Sequence, residues 1–210
     1  MSPAKRSLTR HQFVDAAFAL VDADGAEAFT MRKLGTALGV DPMAVYHHLP
    51  NKAAVFDALV DEVWARVDPP ASPPGTPWPE QVAALATQLR ATLLAHPRLV
   101  PVLATRPIAT PRLLALTDAH LGRLAEAGLP EASAMALLDC VIAFVVGKVQ
   151  GEVRNPGSDG DTTPDAVVAG ISPDALPHVA TALATGYDWD PEGQFRRGLS
   201  ALVAGWTPQP

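Results

Sequence analysis

Residues 29–63 read FTMRKLGTALGVDPMAVYHHLPNKAAVFDALVDEV, and their punctuation decides the fold. Thr30 stands where a helix N-cap belongs, ahead of a short apolar-periodic segment that ends at Leu38. Gly39 follows, a residue suited to the left-handed backbone of a tight turn. Asp41 opens a second short helix with Pro42 in its first turn, where a missing N–H costs nothing. Leu49-Pro50 stops that helix, and Asn51 caps a longer one predicted to run to about Val67. Two short helices joined only by Gly39-Val40-Asp41 have the spacing of a helix-turn-helix.

The apolar residues of this unit fix its faces. Leu34 and Leu38 of the first short helix face Val45 and Leu49 of the second, over Val40. If Val45 and Leu49 point inward, Met43, Tyr46 and His47 point outward, at i, i+3 and i+4. That edge suits the major groove: Met43 and Ala44 can touch thymine methyls, and Tyr46 and His47 can hydrogen-bond phosphates or base edges. Thr30 suits a phosphate, Arg32 can reach a guanine, and Lys52, at the start of the next helix, offers a flexible charge for a phosphate. The adjacent His47 and His48 point different ways on a helix and have no third ligand nearby in sequence, so no metal site is expected.

Outward from this unit, the chain reads as all-α. A helix from Thr9 to Asp24 precedes the pair, so residues 1–67 hold four helices, the first three forming a helix-turn-helix DNA-binding domain. Residues 68–79 form a linker, because Pro69, Pro70, Pro73, Pro74, Gly75, Pro77 and Pro79 do not sustain a helix. Residues 80–210 read as a larger helical domain, giving about nine to ten helices in all. Its segments are Glu80–Ala95, Pro97–Thr105, Pro111–Ala127, Glu131–Arg154, Pro173–Thr185 and Pro191–Gly205, with a Gly-, Pro-, Asp- and Thr-rich loop over Asn155–Gly170.

Composition narrows the function. The net charge of −6 excludes indiscriminate nucleic-acid binding, so any DNA contact is local. A single cysteine, Cys140, permits no intrachain disulfide and no CxxC pair, which suits a reducing compartment. The opening MSPAKRSLTRHQF has no apolar core of a signal peptide, and the longest apolar run, Val141–Val146, is too short for a membrane span. A cytoplasmic protein with no membrane association is expected. No G-x-S-x-G, P-loop, HExxH or Cys–His pairing is present, so catalysis is disfavoured and no cofactor is expected.

The stretch quoted above resembles the DNA-binding signature of the TetR family. The shared marks are the T-x-R-x-L start at Thr30, an A-x-x-L-G-V turn shifted here to GTALGV (35–40), and Y-x-H-x-x-N-K from Tyr46 to Lys52. More loosely, AFVVGKVQGE (143–152) and YDWDPEGQFRRGLSALVAG (187–205) resemble the C-terminal domain of tetracycline-repressor-like members. The resemblance implies an all-α dimer that binds operator DNA and releases it when a small-molecule effector enters the larger domain. It carries DNA contacts onto Thr30, Arg32, Pro42, Met43, Ala44, Tyr46, His47, His48 and Lys52. Pro42, Met43 and Ala44 depart from members that place polar side chains there, which weakens direct base readout.

A homodimer is expected through the helices at about 131–154 and 191–205. The apolar stripe Leu137, Val141, Phe144, Val145 and Lys148 reads as core or dimer surface. Inward-facing positions of the middle helices suggest an effector pocket of Leu94, His96, Leu103, Leu116, His120, Asp139, Ala143, Phe144 and Gln150. Phe56, Leu59, Val60 and Trp64 would carry movement between pocket and DNA-binding head. The competing reading is a ligand-blind DNA-binding or protein-docking module, favoured by a fully packed core. A contiguous apolar cavity favours the sensor.

Overall fold

The computed structural model describes residues 8–106, 110–153, 172, 174–187 and 190–208. Among them are ten α-helices and no strand: α1 Arg10–Asp24, α2 Met31–Leu38, α3 Pro42–His48, α4 Lys52–Arg66, α5 Trp78–Ala95, α6 Val100–Ala104, α7 Pro111–Glu126, α8 Glu131–Glu152, α9 Pro177–Ala184 and α10 Pro191–Ala204. A 3-10 turn, Pro97–Leu99, leads into α6. The expected loop at 155–170 lies outside the described residues.

The local signals act as chemistry requires. Thr9 closes a capping box with Gln12, its hydroxyl accepting from the Gln12 N–H and the Gln12 side chain accepting from the Thr9 N–H. The Thr30, Asp41 and Asn51 side chains accept from the amides of Lys33, Met43 and Ala54, each satisfying a donor the helix start leaves unpaired. Gly39 adopts φ 66°, ψ 30°, the left-handed conformation of the turn.

Two elements start elsewhere than expected. α5 begins at Trp78, two residues early, with Pro79 in its first turn. α9 begins at Pro177, later than expected, with residues 174–176 outside it: a helix running back through them would carry Pro177 in its interior, where the ring removes a hydrogen bond and clashes.

α1 packs on α2, α3 and α4, and α2 on α3. Phe13, Val21, Leu34, Val45, Leu49, Val55 and Leu59 fill this first core. α8 is the axis of the rest, packed by α5, α6, α7 and α10. Glu131–Glu152 is, at 22 residues, long and apolar enough to cross a membrane, contrary to the reading of its longest uninterrupted apolar run. Its apolarity has a packing cause: Leu137, Val141, Val145 and Val149 are buried within the chain. Phe144 stacks on Phe195 of α10, ring centroids 5.8 Å apart.

α4 ties the two halves together. Asp57 accepts from Arg106 at 2.6 Å, and Asp61 accepts from the Thr110 hydroxyl that caps α7. On α1, Asp22 pairs with His96 Nδ1 at 2.9 Å, and Phe18 meets the same imidazole edge-on. Arg66, at the end of α4, lies 3.8 Å over the Phe18 ring.

Candidate DNA-reading head and effector cavity

The head presents α3 as the sequence reading requires. Val45 and Leu49 are fully buried, Leu38 and Val40 pack partly against the same core, and the opposite edge is open. Met43 is 66% exposed and Tyr46 42%, and both stand on that open edge. His47 is exposed beside them. His48 is exposed but stacked on Phe13, centroids 4.6 Å apart, which spends one ring face on packing. Pro42 and Ala44 are half-buried, while Thr30 and Arg32 are exposed.

Lys52 differs from the expectation of a flexible charge. Its ammonium donates to the carbonyls of Ala26 and Phe29 at 3.1 and 3.0 Å, and sits 5.1 Å from the Phe56 ring centroid. An ammonium has three donors, so one remains for a phosphate, and the charge is fixed in place. Gly35 is a determinant the sequence reading passed over. A Cβ there would lie 3.1 Å from the Val40 carbonyl oxygen and 3.2 Å from Pro42 Cα, so glycine lets α2 approach the turn and α3 closely.

Beneath the head lies a two-lobed cavity. The inner lobe, about 80 Å³, is walled by Trp64 of α4, Leu85 of α5, Leu113, Leu116, Thr117 and His120 of α7, and Met135, Leu138, Asp139 and Ile142 of α8. The outer lobe, about 410 Å³, shares Leu85, Leu116, His120 and Leu138 with it. Its far wall is the Val67–Ser72 strap that runs on from α4, with Gln81 and Arg123 at its sides. The His120 pKa is lowered, first by burial, while its bond to Leu116 opposes the shift and the Arg123 charge adds to it.

Of the nine pocket residues expected, Leu116, His120 and Asp139 line this cavity. The others lie elsewhere. Leu94 is exposed on α5, and Leu103 is buried in the α6 core without reaching either lobe. His96 is engaged with Asp22 at the head. On α8 the lining positions are 135, 138, 139 and 142. At about 100° per residue, Ala143 is turned roughly 90° from their mean direction and Phe144 points to the opposite side. Gln150 lies about 12 Å further along the axis than Ile142. Ala143 and Gln150 are accordingly exposed. Trp64, Leu113, Thr117 and Arg123 were missed; the signal for α7 was its 113, 116, 117, 120 spacing, one face of a helix.

A helix-turn-helix with an open reading edge, carried on a helical body with an apolar cavity, defines a DNA-binding regulator of the ligand-sensing kind. The profile "Bacterial regulatory proteins, tetR family" matches residues 13–59, and "Tetracyclin repressor-like, C-terminal domain" matches residues 69–209. The chain belongs to the TetR family of transcriptional regulators. An HTH-type transcriptional regulator of Saccharopolyspora erythraea is 33% identical over 207 residues, 97% of this chain and 86% of that protein. The class A tetracycline repressor from transposon 1721 in Escherichia coli is 30% identical, over 91% of this chain and 87% of that protein. The crystal structure of the Streptomyces coelicolor TetR family protein ActR in complex with actinorhodin superposes with a TM-score of 0.81 at 26% identity, covering 95% of this chain and 97% of that one.

Proposed function

We propose that this protein is a homodimeric repressor that reads operator DNA through α3 and leaves it when a small molecule occupies the two-lobed cavity. The observation that carries the reading is the division of α3 into a buried edge, Val45 and Leu49, and an open one, Met43, Tyr46 and His47. Thr30 and Arg32 flank that edge from α2, and Lys52 from α4. Pro42, Ala44 and His48 contribute shape more than hydrogen bonds. A DNA-binding regulator works in the cytoplasm, and the reading assigns no reaction and no metal to the cavity.

The dimer surface is the face of α8 left open in the single chain. Ala136, Cys140, Ala143, Gly147 and Gly151 are exposed there at helical spacing, and Ser200, Ala201 and Ala204 are exposed on α10. Small side chains let four helices approach closely, two from each protomer. A two-fold dimer places the two reading helices about one DNA turn apart, ~34–36 Å.

Release follows from linkage: a ligand shifts the protein toward the state it binds better, by its difference in affinity, typically ~1–3 kcal/mol. α4 supports this role because it faces the inner lobe through Trp64, continues into the strap over the outer lobe, and begins in the head. The cavity also favours a sensor over a ligand-blind module. The test is selection of bound duplexes from a random pool, repeated across ionic strengths. Two related half-sites and a steep loss of affinity with salt are expected. A chain that enriches no duplex at low salt refutes the reading.

A further inference from the structure

The leading end of α3, Pro42-Met43-Ala44, carries no hydrogen-bonding side chain. With Val45 and Leu49 buried, a step of about 100° per residue turns Met43 and His47 outward, one turn apart, with Tyr46 and Ala44 to either side. A recognition helix meets base edges with its N-terminal residues, which places Met43 and Ala44 nearest the bases and Tyr46 and His47 about one turn later. Pro42 is turned toward α2: its Cα lies 3.2 Å from where a Cβ on Gly35 would stand. The whole helix reads PMAVYHH. It holds no Asn or Gln to pair with adenine and no Asp or Glu to accept from cytosine.

The polar groups around this first turn are spent on the helix itself. Asp41 Oδ1 accepts from the Met43 N–H at 2.8 Å, and the Asp41 carbonyl accepts from the Ala44 N–H at 2.9 Å. Pro42 has no N–H to give. Beside it on α2, Lys33 pairs with Asp24 at 3.4 Å. An apolar side chain in the major groove recognises one feature of a base, the C5 methyl group of thymine. Met43 suits that contact, because it is unbranched and polarizable and, at 66% exposed, is free to follow a methyl group. Cytosine methylated at C5 carries the same group at the same place on its major-groove edge.

We propose that this protein reads the base steps beneath the start of α3 by their C5 methyl groups, and that 5-methylcytosine serves there in place of thymine. Where cytosine stands at such a step, its methylation tightens binding, so the methylation state of the operator is a second input beside the ligand. The inference rests on the reading of α3 as the DNA edge, and names what that edge recognises on the duplex. Met43 is the residue that sets specificity at these steps.

The test removes or adds one methyl group and nothing else. Duplexes selected from a random pool are resynthesised with deoxyuridine for thymidine, one base pair at a time and in both half-sites together, and titrated with the full chain by fluorescence anisotropy. One buried methyl group is worth about fourfold in affinity, so at one or two steps of each half-site the paired exchange should weaken binding about fifteenfold. At the same steps a C·G pair should bind about as weakly as U·A, and methylating its cytosine at C5 should restore about fifteenfold. In Met43→Ala, a change at an exposed position, both methyl effects should shrink to about twofold or less, which a double-mutant cycle of side chain against methyl reads directly. Arg32→Gln should weaken binding and leave the methyl effects intact. Uracil accepted at every step, methylated cytosine that binds no better than unmethylated, or a methyl effect undiminished in Met43→Ala overturns the proposal. A chain that enriches no duplex fails the reading of α3 as the DNA edge, whereas one that binds its operator and ignores the methyl groups fails this proposal alone.

Discussion

Replacing Thr117 by leucine should stabilise the protein and close the inner lobe at once. Thr117 lies on α7, half-buried, with its side chain on a lobe of about 80 Å³. At about 24 cal/mol per Å³, filling that space entirely is worth at most ~2 kcal/mol. Leucine does not fill it entirely. It adds roughly one carbon and replaces a hydroxyl, contributing ~0.8 kcal/mol for each buried methylene equivalent. Leucine also outranks threonine in helix propensity by about 0.5 kcal/mol. Together these give about 1–2 kcal/mol, below the ceiling set by the lobe. The measurement is the urea midpoint at one fixed protomer concentration, because dimerisation makes stability concentration-dependent. A Thr117→Leu protein that is destabilised refutes the reasoning, because that outcome means the lobe has no room.

Four further outcomes are expected. Tyr46→Ala and His47→Ala should each weaken operator binding about tenfold with an unchanged melting temperature, because both side chains are exposed and touch no core; fluorescence anisotropy on the selected operator reads the first and calorimetry the second. Val45→Ala, at a fully buried position, should instead cost about 2 kcal/mol of head stability and lower DNA binding only through unfolding, which chemical denaturation separates. Gly39→Ala should destabilise by about 1 kcal/mol although a Cβ there meets nothing within 4 Å, since the cost is the positive φ of 66°; Gly39→Asn should recover part of it in the same denaturation assay. For pH, the depressed His120 pKa means the native state binds fewer protons than the unfolded chain below the unfolded value of 6.5. Stability should therefore fall as the pH drops through 6.5 toward the lowered pKa, and the urea midpoint of His120→Leu should show a shallower slope over the same window.

The head was legible because its signals are local. Thr30, Gly39, Asp41-Pro42 and Asn51 act within one turn of where they stand, and the i, i+4 pair Val45 and Leu49 orients α3 without help from distant residues. The cavity was legible only where a helix declares a face. α7 is amphipathic, and two of its lining residues, Leu116 and His120, were found. α8 is apolar on every side, since one face packs into the core and another is small and open, so its sequence carries no stripe to show which positions look into the lobe. Asp139 was found there, and Ala143, Phe144 and Gln150 were not lining residues at all. His96 looked like a pocket residue because it follows α5; the long-range contact that claims it, Asp22, lies 74 positions away and has no local signature.

The strap from Val67 to Ser72 gives the proline-rich stretch a physical role that its composition alone did not suggest. It walls the outer lobe and is covalently continuous with α4. Prolines fix φ and lose little entropy on ordering, so a displacement at one end of such a segment is passed along it with little slack. If this continuity transmits the switch, substituting glycine for Pro69 and Pro70 should leave operator affinity unchanged, because the Asp57–Arg106 and Asp61–Thr110 contacts still seat α4 on the core. The same change should reduce the loss of operator affinity that a bound ligand causes, by a factor of about three or more within the usual ~1–3 kcal/mol of coupling. Anisotropy titrations of the operator complex with a ligand that calorimetry shows to bind the free protein separate coupling from binding. Unaltered release by the glycine variant at equal ligand affinity would place the coupling in Trp64 and the α4 ion pairs instead of the strap.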